Sequence, residues 1–142
     1  MKPPLAAALD LEPHPEGGWY RQTWASPDTV ELADGRIRSA ATLIYFLLPA
    51  GAESAWHRVA SDEMWLAHTG VVTLELGGAG ATPAPADQCR RHTLEVSGDA
   101  QVLVPAGCWQ RTVASVEDAL VSCLVSPGFD FADFELAPGH AT

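Results

Sequence analysis

Short β-branched and aromatic segments, each stopped within a few residues by Gly, Pro or Asp, run through almost the whole chain. Residues 19–24, 41–48, 64–76, 94–96, 101–104 and 119–125 are the clearest of these. Such punctuation leaves little room for helices, and many short strands with frequent turns build a sandwich or barrel. One exception stands at the start, where the alanines of residues 2–9 suit a short helix or turn ahead of Glu12-Pro13-His14-Pro15. Residues 77–91 are a Gly, Pro and Ala run too poor in large apolar groups to be a buried strand, and they are expected to form an exposed loop.

A chain of 142 residues fits one domain with a single core, here residues 1–142. Its 8 Lys and Arg against 18 Asp and Glu give a net charge of -10, which opposes binding to nucleic acid or an anionic membrane. A local positive pocket for an anionic ligand stays open, built from Arg36, Arg38, Arg58 and Arg111. Asp10 and Glu12 interrupt the first apolar residues too early for a signal peptide, and no apolar run reaches membrane-spanning length, so a cytoplasmic location is expected. Cys89, Cys108 and Cys123 are odd in number and lack CxxC spacing, which points to free thiols.

Two blocks carry residues capable of chemistry. The first runs Gly51, five residues, His57, Arg58, Val59, then Glu63 and Gly70; the second is Pro105-Ala-Gly107-Cys-Trp-Gln110. Alternation along a strand sends His57 and Val59 to the same side, with Glu63 and Trp65 joining them on the next strand if no bulge intervenes. Arg58, Trp56, Trp109 and His68 fall on the opposite faces.

This spacing resembles the two motifs of the cupin superfamily, and six blocks narrow the resemblance to the family defined by domain of unknown function 985. They are Leu11-Glu-Pro-His14-Pro-Glu16-Gly-Gly18-Trp-Tyr20, Thr42-Leu-Ile-Tyr45-Phe-Leu-Leu, His57-Arg58, Ser61-Asp-Glu63-Met-Trp65, Val104-Pro-Ala-Gly-Cys-Trp109-Gln110 and Ser126-Pro-Gly-Phe-Asp130-Phe-Ala-Asp-Phe134. The likeness covers a core of about residues 11–136 and implies an all-β double-stranded β-helix, a jelly-roll barrel, that pairs as a homodimer. The chain departs from the family in a short stretch between Leu76 and Gln101, and in Trp19 where the family often has Tyr. Family membership brings a fold and no assigned reaction.

By the same resemblance, His57 and Glu63 occupy positions where cupins keep metal ligands, while Val59 and Gln110 replace the two other histidines. A catalytic metal site usually keeps three protein ligands, so no cofactor is expected, and any divalent metal would bind weakly through His57, Glu63 and Gln110. Without metal, His57 and Glu63 form a candidate acid/base dyad in which the carboxylate orients the imidazole. Tyr45 supplies an opposing phenol if its strand face is the inner one; if Thr42, Ile44 and Phe46 face inward, it leaves the site. Metal-free cupins that epimerise dTDP-sugars with a His base and a Tyr acid supply the analogy.

Gln110, Trp65 and Arg38 are candidate ligand-binding residues, Arg38 as a carboxylate or phosphate clamp or else as half of a salt bridge. His14 and Glu16 either reach the cavity mouth or a partner chain, or merely precede glycines that shape the entry to the first strand. Phe129, Phe131 and Phe134 are expected to pack the last segment onto the sandwich. Three functions follow for the small-molecule site: a metal-independent epimerase or isomerase on a carbohydrate-type ligand, a non-catalytic binder, and a metal-dependent oxygenase or lyase with a reduced ligand set.

Overall fold

The computed structural model describes residues 1–138, and these form two antiparallel sheets with one short α-helix. The helix α1 (Pro4–Ala8) starts on a proline, whose missing N–H costs nothing in a first turn. A six-stranded sheet holds β1 (Glu12–Pro13), β2 (Trp19–Ala25), β5 (Thr42–Leu48), β12 (Ala119–Ser126), β7 (Asp62–Thr69) and β10 (Gln101–Val104), in that order. A five-stranded sheet runs β13 (Phe134–Leu136), β6 (His57–Val59), β11 (Gln110–Val113), β8 (Val72–Leu76) and β9 (Arg90–Leu94). A hairpin of β3 (Thr29–Glu31) and β4 (Ile37–Ser39) stands apart from both.

The sheets pack face to face as a jelly roll. Phe46, Trp65, Val104 and Val121 from the first meet Val72, Leu74, Leu76 and Leu94 from the second in one buried cluster. A second cluster lies outside, where Ala6 and Leu11 cover Leu47, with Trp19, Tyr45 and Leu120 around them. Strand β5 is therefore covered on both faces and reads as a continuous apolar run.

The run 64–76 is two strands. Gly70 takes a positive φ of 74°, and a Cβ there would collide with the Asp118 carbonyl, so the chain turns and passes from one sheet to the other. The strand expected at 94–96 is displaced to β9, which takes Arg90 and Arg91 from the expected loop. The rest of that loop lies over the outside of the barrel, where the Gly80 carbonyl accepts from the Trp109 indole and from Arg58. No described helix is long and apolar enough to cross a membrane.

Candidate functional site

A cavity of about 400 Å³ opens at one end of the barrel. Its floor takes His57 and Val59 from β6, Glu63 from β7 and Cys123 from β12; Thr42, Ile44 and Phe46 from β5 form one wall. The loop before β2 contributes His14 and Glu16, β2 contributes Tyr20 and Gln22, and Phe129, Asp130 and Phe131 close the other side.

Glycines explain how a surface loop comes to line a cavity. Gly17 (φ 106°) and Gly18 (φ 77°) hold backbone conformations that other residues avoid. A Cβ at Gly17 would lie 2.7 Å from the Glu53 carbonyl oxygen, and one at Gly18 would lie 2.8 Å from the Phe46 ring. Lacking both, the loop presses inward, its carbonyl at Glu16 accepts from Ala55 N–H at 2.7 Å, and the Glu16 side chain turns under the barrel rim.

The partner of His57 is Glu16. His57 Nε2 lies 2.8 Å from Glu16 Oε2, and His57 Nδ1 donates to the Ala55 carbonyl at 2.8 Å, with both side chains buried. The ring also stacks on Phe134 at 5.5 Å. Two reciprocal bonds hold the Ala55 backbone in place: Ser54 N–H to Thr112 Oγ1 at 2.8 Å, and Thr112 N–H to Ser54 Oγ at 2.9 Å. Burial alone would pull the imidazole pKa down, yet the Glu16 charge and hydrogen bond outweigh it and push His57 up to about 8. Burial pushes Glu16 upward in turn, and the His57 charge and hydrogen bond reverse that, leaving Glu16 below the ordinary carboxylate value. The pair is an imidazolium carboxylate at neutral pH.

Glu63 is held separately. Trp65 Nε1 donates to Gln110 Oε1 at 2.9 Å, which fixes the amide so that Gln110 Nε2 donates to Glu63 Oε1 at 2.8 Å. Burial, and then the neighbouring Glu16 charge, raise the Glu63 pKa. Two carboxylates in one cavity are thus driven in opposite directions, one fixed as an anion and one poised to take a proton. His14 is lowered by burial, with its Nδ1 accepting from Glu16 N–H at 3.1 Å.

Several residues stand elsewhere than the sequence suggested. His57 and Glu63 share the cavity, but their expected mutual hydrogen bond is replaced by His57 to Glu16 and Glu63 to Gln110. Tyr45 leaves the site, since Thr42, Ile44 and Phe46 face in; it packs outside against His68, whose Nε2 lies 2.6 Å from Ser122 Oγ. Trp65 and Gln110 are fully buried behind Glu63 and do not line the cavity. Arg38 is no clamp: its Nε and Nη2 donate to Asp133 at 2.7 and 2.9 Å, and Arg36 Nη1 reaches the same carboxylate at 2.8 Å. These bonds tie the β3–β4 hairpin to the segment bearing Phe129 and Phe131, which line the cavity besides packing. Glu16 and His14 do reach the cavity, and Tyr20 is a phenol on its wall that only the alternation of β2 could have suggested.

The donor set does not fit a metal ion. Val59 and Gln110 fill two expected ligand positions, and among the described residues no group of three His, Cys, Asp or Glu is arranged to hold one. Both His57 nitrogens are engaged, Nε2 with Glu16 and Nδ1 with the Ala55 carbonyl, so neither is free as a metal donor in this arrangement.

No curated protein matches the chain. A hypothetical protein from Leishmania major is 34% identical over 92% of this chain and 83% of its own, with a TM-score of 0.79. A protein of solved structure from Shewanella oneidensis is also 34% identical, over 93% and 81%, with a TM-score of 0.77. The capsular polysaccharide assembling protein CapF of Staphylococcus aureus shares the fold alone, at 12% identity and a TM-score of 0.66 over 89% of this chain and 31% of its own. The model of the family described as Cupin superfamily (DUF985) matches residues 4–137, so the chain belongs to that family.

Proposed function

We propose that the cavity is a metal-independent proton-transfer site for a small carbohydrate-type ligand, of the isomerase or epimerase kind. The observation that carries this is the pair of buried carboxylates with opposed pKa shifts, one locked to an imidazolium, at the floor of an aromatic-walled cavity. A cavity of about 400 Å³ suits a monosaccharide, and Tyr20, Phe46, Phe129 and Phe131 offer ring faces for its C–H groups.

The sequence assigned His57 as base and Glu63 as its orienter; the environments favour the reverse division. His57 is already protonated below about pH 8 and serves as the acid, while Glu16 holds its charge and orientation. Glu63, with its raised pKa, takes the proton from the carbon next to a carbonyl. The C–H electron pair becomes the C=C bond of an enol, the carbonyl π pair moves to oxygen, and that oxygen takes the Nε2 proton of His57 as the ligand displaces the Glu16 contact. Return of a proton to the other face of the carbon epimerises; return to the adjacent carbon isomerises. Tyr20, a phenol on the cavity wall, is a second donor beside His57.

Monosaccharides carrying a carbonyl, incubated with the protein in D2O, should gain deuterium at the carbon beside it, and Glu63→Gln should bind without exchanging. An exchanging Glu63→Gln protein would remove Glu63 as the base. Binding by the parent protein with no exchange would leave the second function, a pure binder, which the full satisfaction of every buried polar side chain among the described residues also suits.

A further inference from the structure

The placement of every basic side chain in the chain bears on which ligand the cavity accepts. All eight Lys and Arg side chains lie within the described residues, and none lines the cavity. Arg58 pairs with Glu135, Arg91 and Arg111 both pair with Glu75, and Lys2 sits near Glu12. Arg21 donates to the Leu9 carbonyl and lies over Tyr45 on the outside of the sheet, and Arg90 is exposed on β9. Arg36 and Arg38, which are tied to the segment carrying Asp130, face Asp34, Asp130 and Asp133, three carboxylates for two guanidiniums.

The cavity itself holds Glu16, Glu63 and Asp130 against a single imidazolium, and that imidazolium is already hydrogen-bonded to Glu16. His14 adds no charge of consequence, because burial lowers its pKa. Among the described residues no α-helix N-terminus lies at the cavity either; the helix α1 belongs to the outer face of the sheet. A phosphate group placed here would meet Glu16 and Glu63 with no guanidinium, ammonium or α-helix dipole lining the cavity, since Arg38 stands behind Asp130 and is already held by Asp133, and partial exclusion of water strengthens the repulsion.

We propose that the cavity selects by charge, admitting an uncharged sugar or polyol and rejecting the phosphorylated or nucleotide-linked form of the same molecule. This rests on the carbohydrate class proposed above and deepens it. It also separates this site from the dTDP-sugar analogy suggested by sequence, since among the described residues a nucleoside diphosphate finds no cation in the cavity beyond the imidazolium that Glu16 already holds.

The test uses the full chain and matched pairs, fructose with fructose 6-phosphate and mannose with mannose 6-phosphate, titrated by calorimetry or ligand-observed NMR at pH 7. The neutral member should bind at least tenfold tighter than its phosphate. Asp130→Asn, which keeps the acceptor for the Ala132 amide, should narrow that ratio by weakening the repulsion at the mouth. Equal or tighter binding of the phosphate would overturn the charge selection and leave the carbohydrate class standing. Binding of neither member of either pair would instead overturn the carbohydrate class, and the charge selection with it.

Discussion

Replacing Glu16 by Gln keeps the shape of the side chain and removes the charge that sustains the His57 imidazolium. His57 is fully buried, and burial alone drives its pKa below 6.5; the Glu16 charge and hydrogen bond, with smaller help from the Ala55 carbonyl and the Glu63 charge, lift it to about 8. A group whose folded pKa lies above its unfolded value contributes stability that is fully present below about pH 6.5 and is lost as pH rises through about 8. The shift from 6.5 to about 8, at about 1.4 kcal/mol per unit, makes that contribution about 2 kcal/mol. Urea unfolding of the parent protein should therefore weaken by about that amount between pH 6.5 and 9, relative to Glu16→Gln over the same range. Comparing the two proteins cancels the ionisation of other groups, the cysteines included. Nitrogen-15 NMR of the imidazole should show His57 titrating near 8 in the parent and well below that in Glu16→Gln. A His57 that still titrates near 8 in Glu16→Gln, or one that loses its elevation in Glu63→Gln instead, would refute the pairing and restore the dyad expected from sequence.

Gly18→Ala forces a Cβ into the Phe46 ring at a positive φ, so stability should fall by about 2 kcal/mol or more in chemical unfolding; a change under about 0.5 kcal/mol would mean that the loop does not press on β5 as described. Trp65→Phe leaves the buried Gln110 Oε1 without its donor and should cost about 1–3 kcal/mol on top of any packing loss. Double-mutant coupling of that change to Gln110→Leu should recover part of the loss, and strict additivity would count against the Trp65–Gln110–Glu63 relay. Cys123 is buried, and burial raises its thiol far above the usual value, so iodoacetamide at pH 8 should spare it in the folded protein and modify it only on unfolding; rapid labelling of native Cys123 would show an open cavity floor.

How much of this was legible in the sequence depended on where a local rule sufficed. The jelly roll followed from strand punctuation and the family blocks, and period-two alternation placed His57, Glu63 and Trp65 on inward faces without further information. Tyr45 could not be placed because β5 is covered on both sides, by the second sheet inside and by Ala6 and Leu11 outside, so no polar alternation marked its inner face. Glu16 stayed open between the cavity mouth, a partner chain and a place ahead of glycines that shape the strand entry, since its pairing with His57 depends on a loop folding inward around Gly17 and Gly18. The glycines signalled a close approach without saying what would be approached. Arg38 was divided between clamp and salt bridge, and the decision lay with Asp133, a partner remote in sequence. Gln110 kept its place in the motif but turned from ligand contact to support, because its amide is held between the Trp65 indole and the Glu63 carboxylate.

The central claim is that proton transfer in this barrel runs on Glu63 and the Glu16–His57 pair without a metal ion. The direct measurement is the rate of solvent deuterium exchange into a neutral monosaccharide carrying a carbonyl, by protein of known metal content before and after exhaustive chelation. An unchanged rate after chelation, abolished by Glu63→Gln, is the predicted result. A rate that collapses on chelation and returns with divalent iron, nickel or zinc would contradict it.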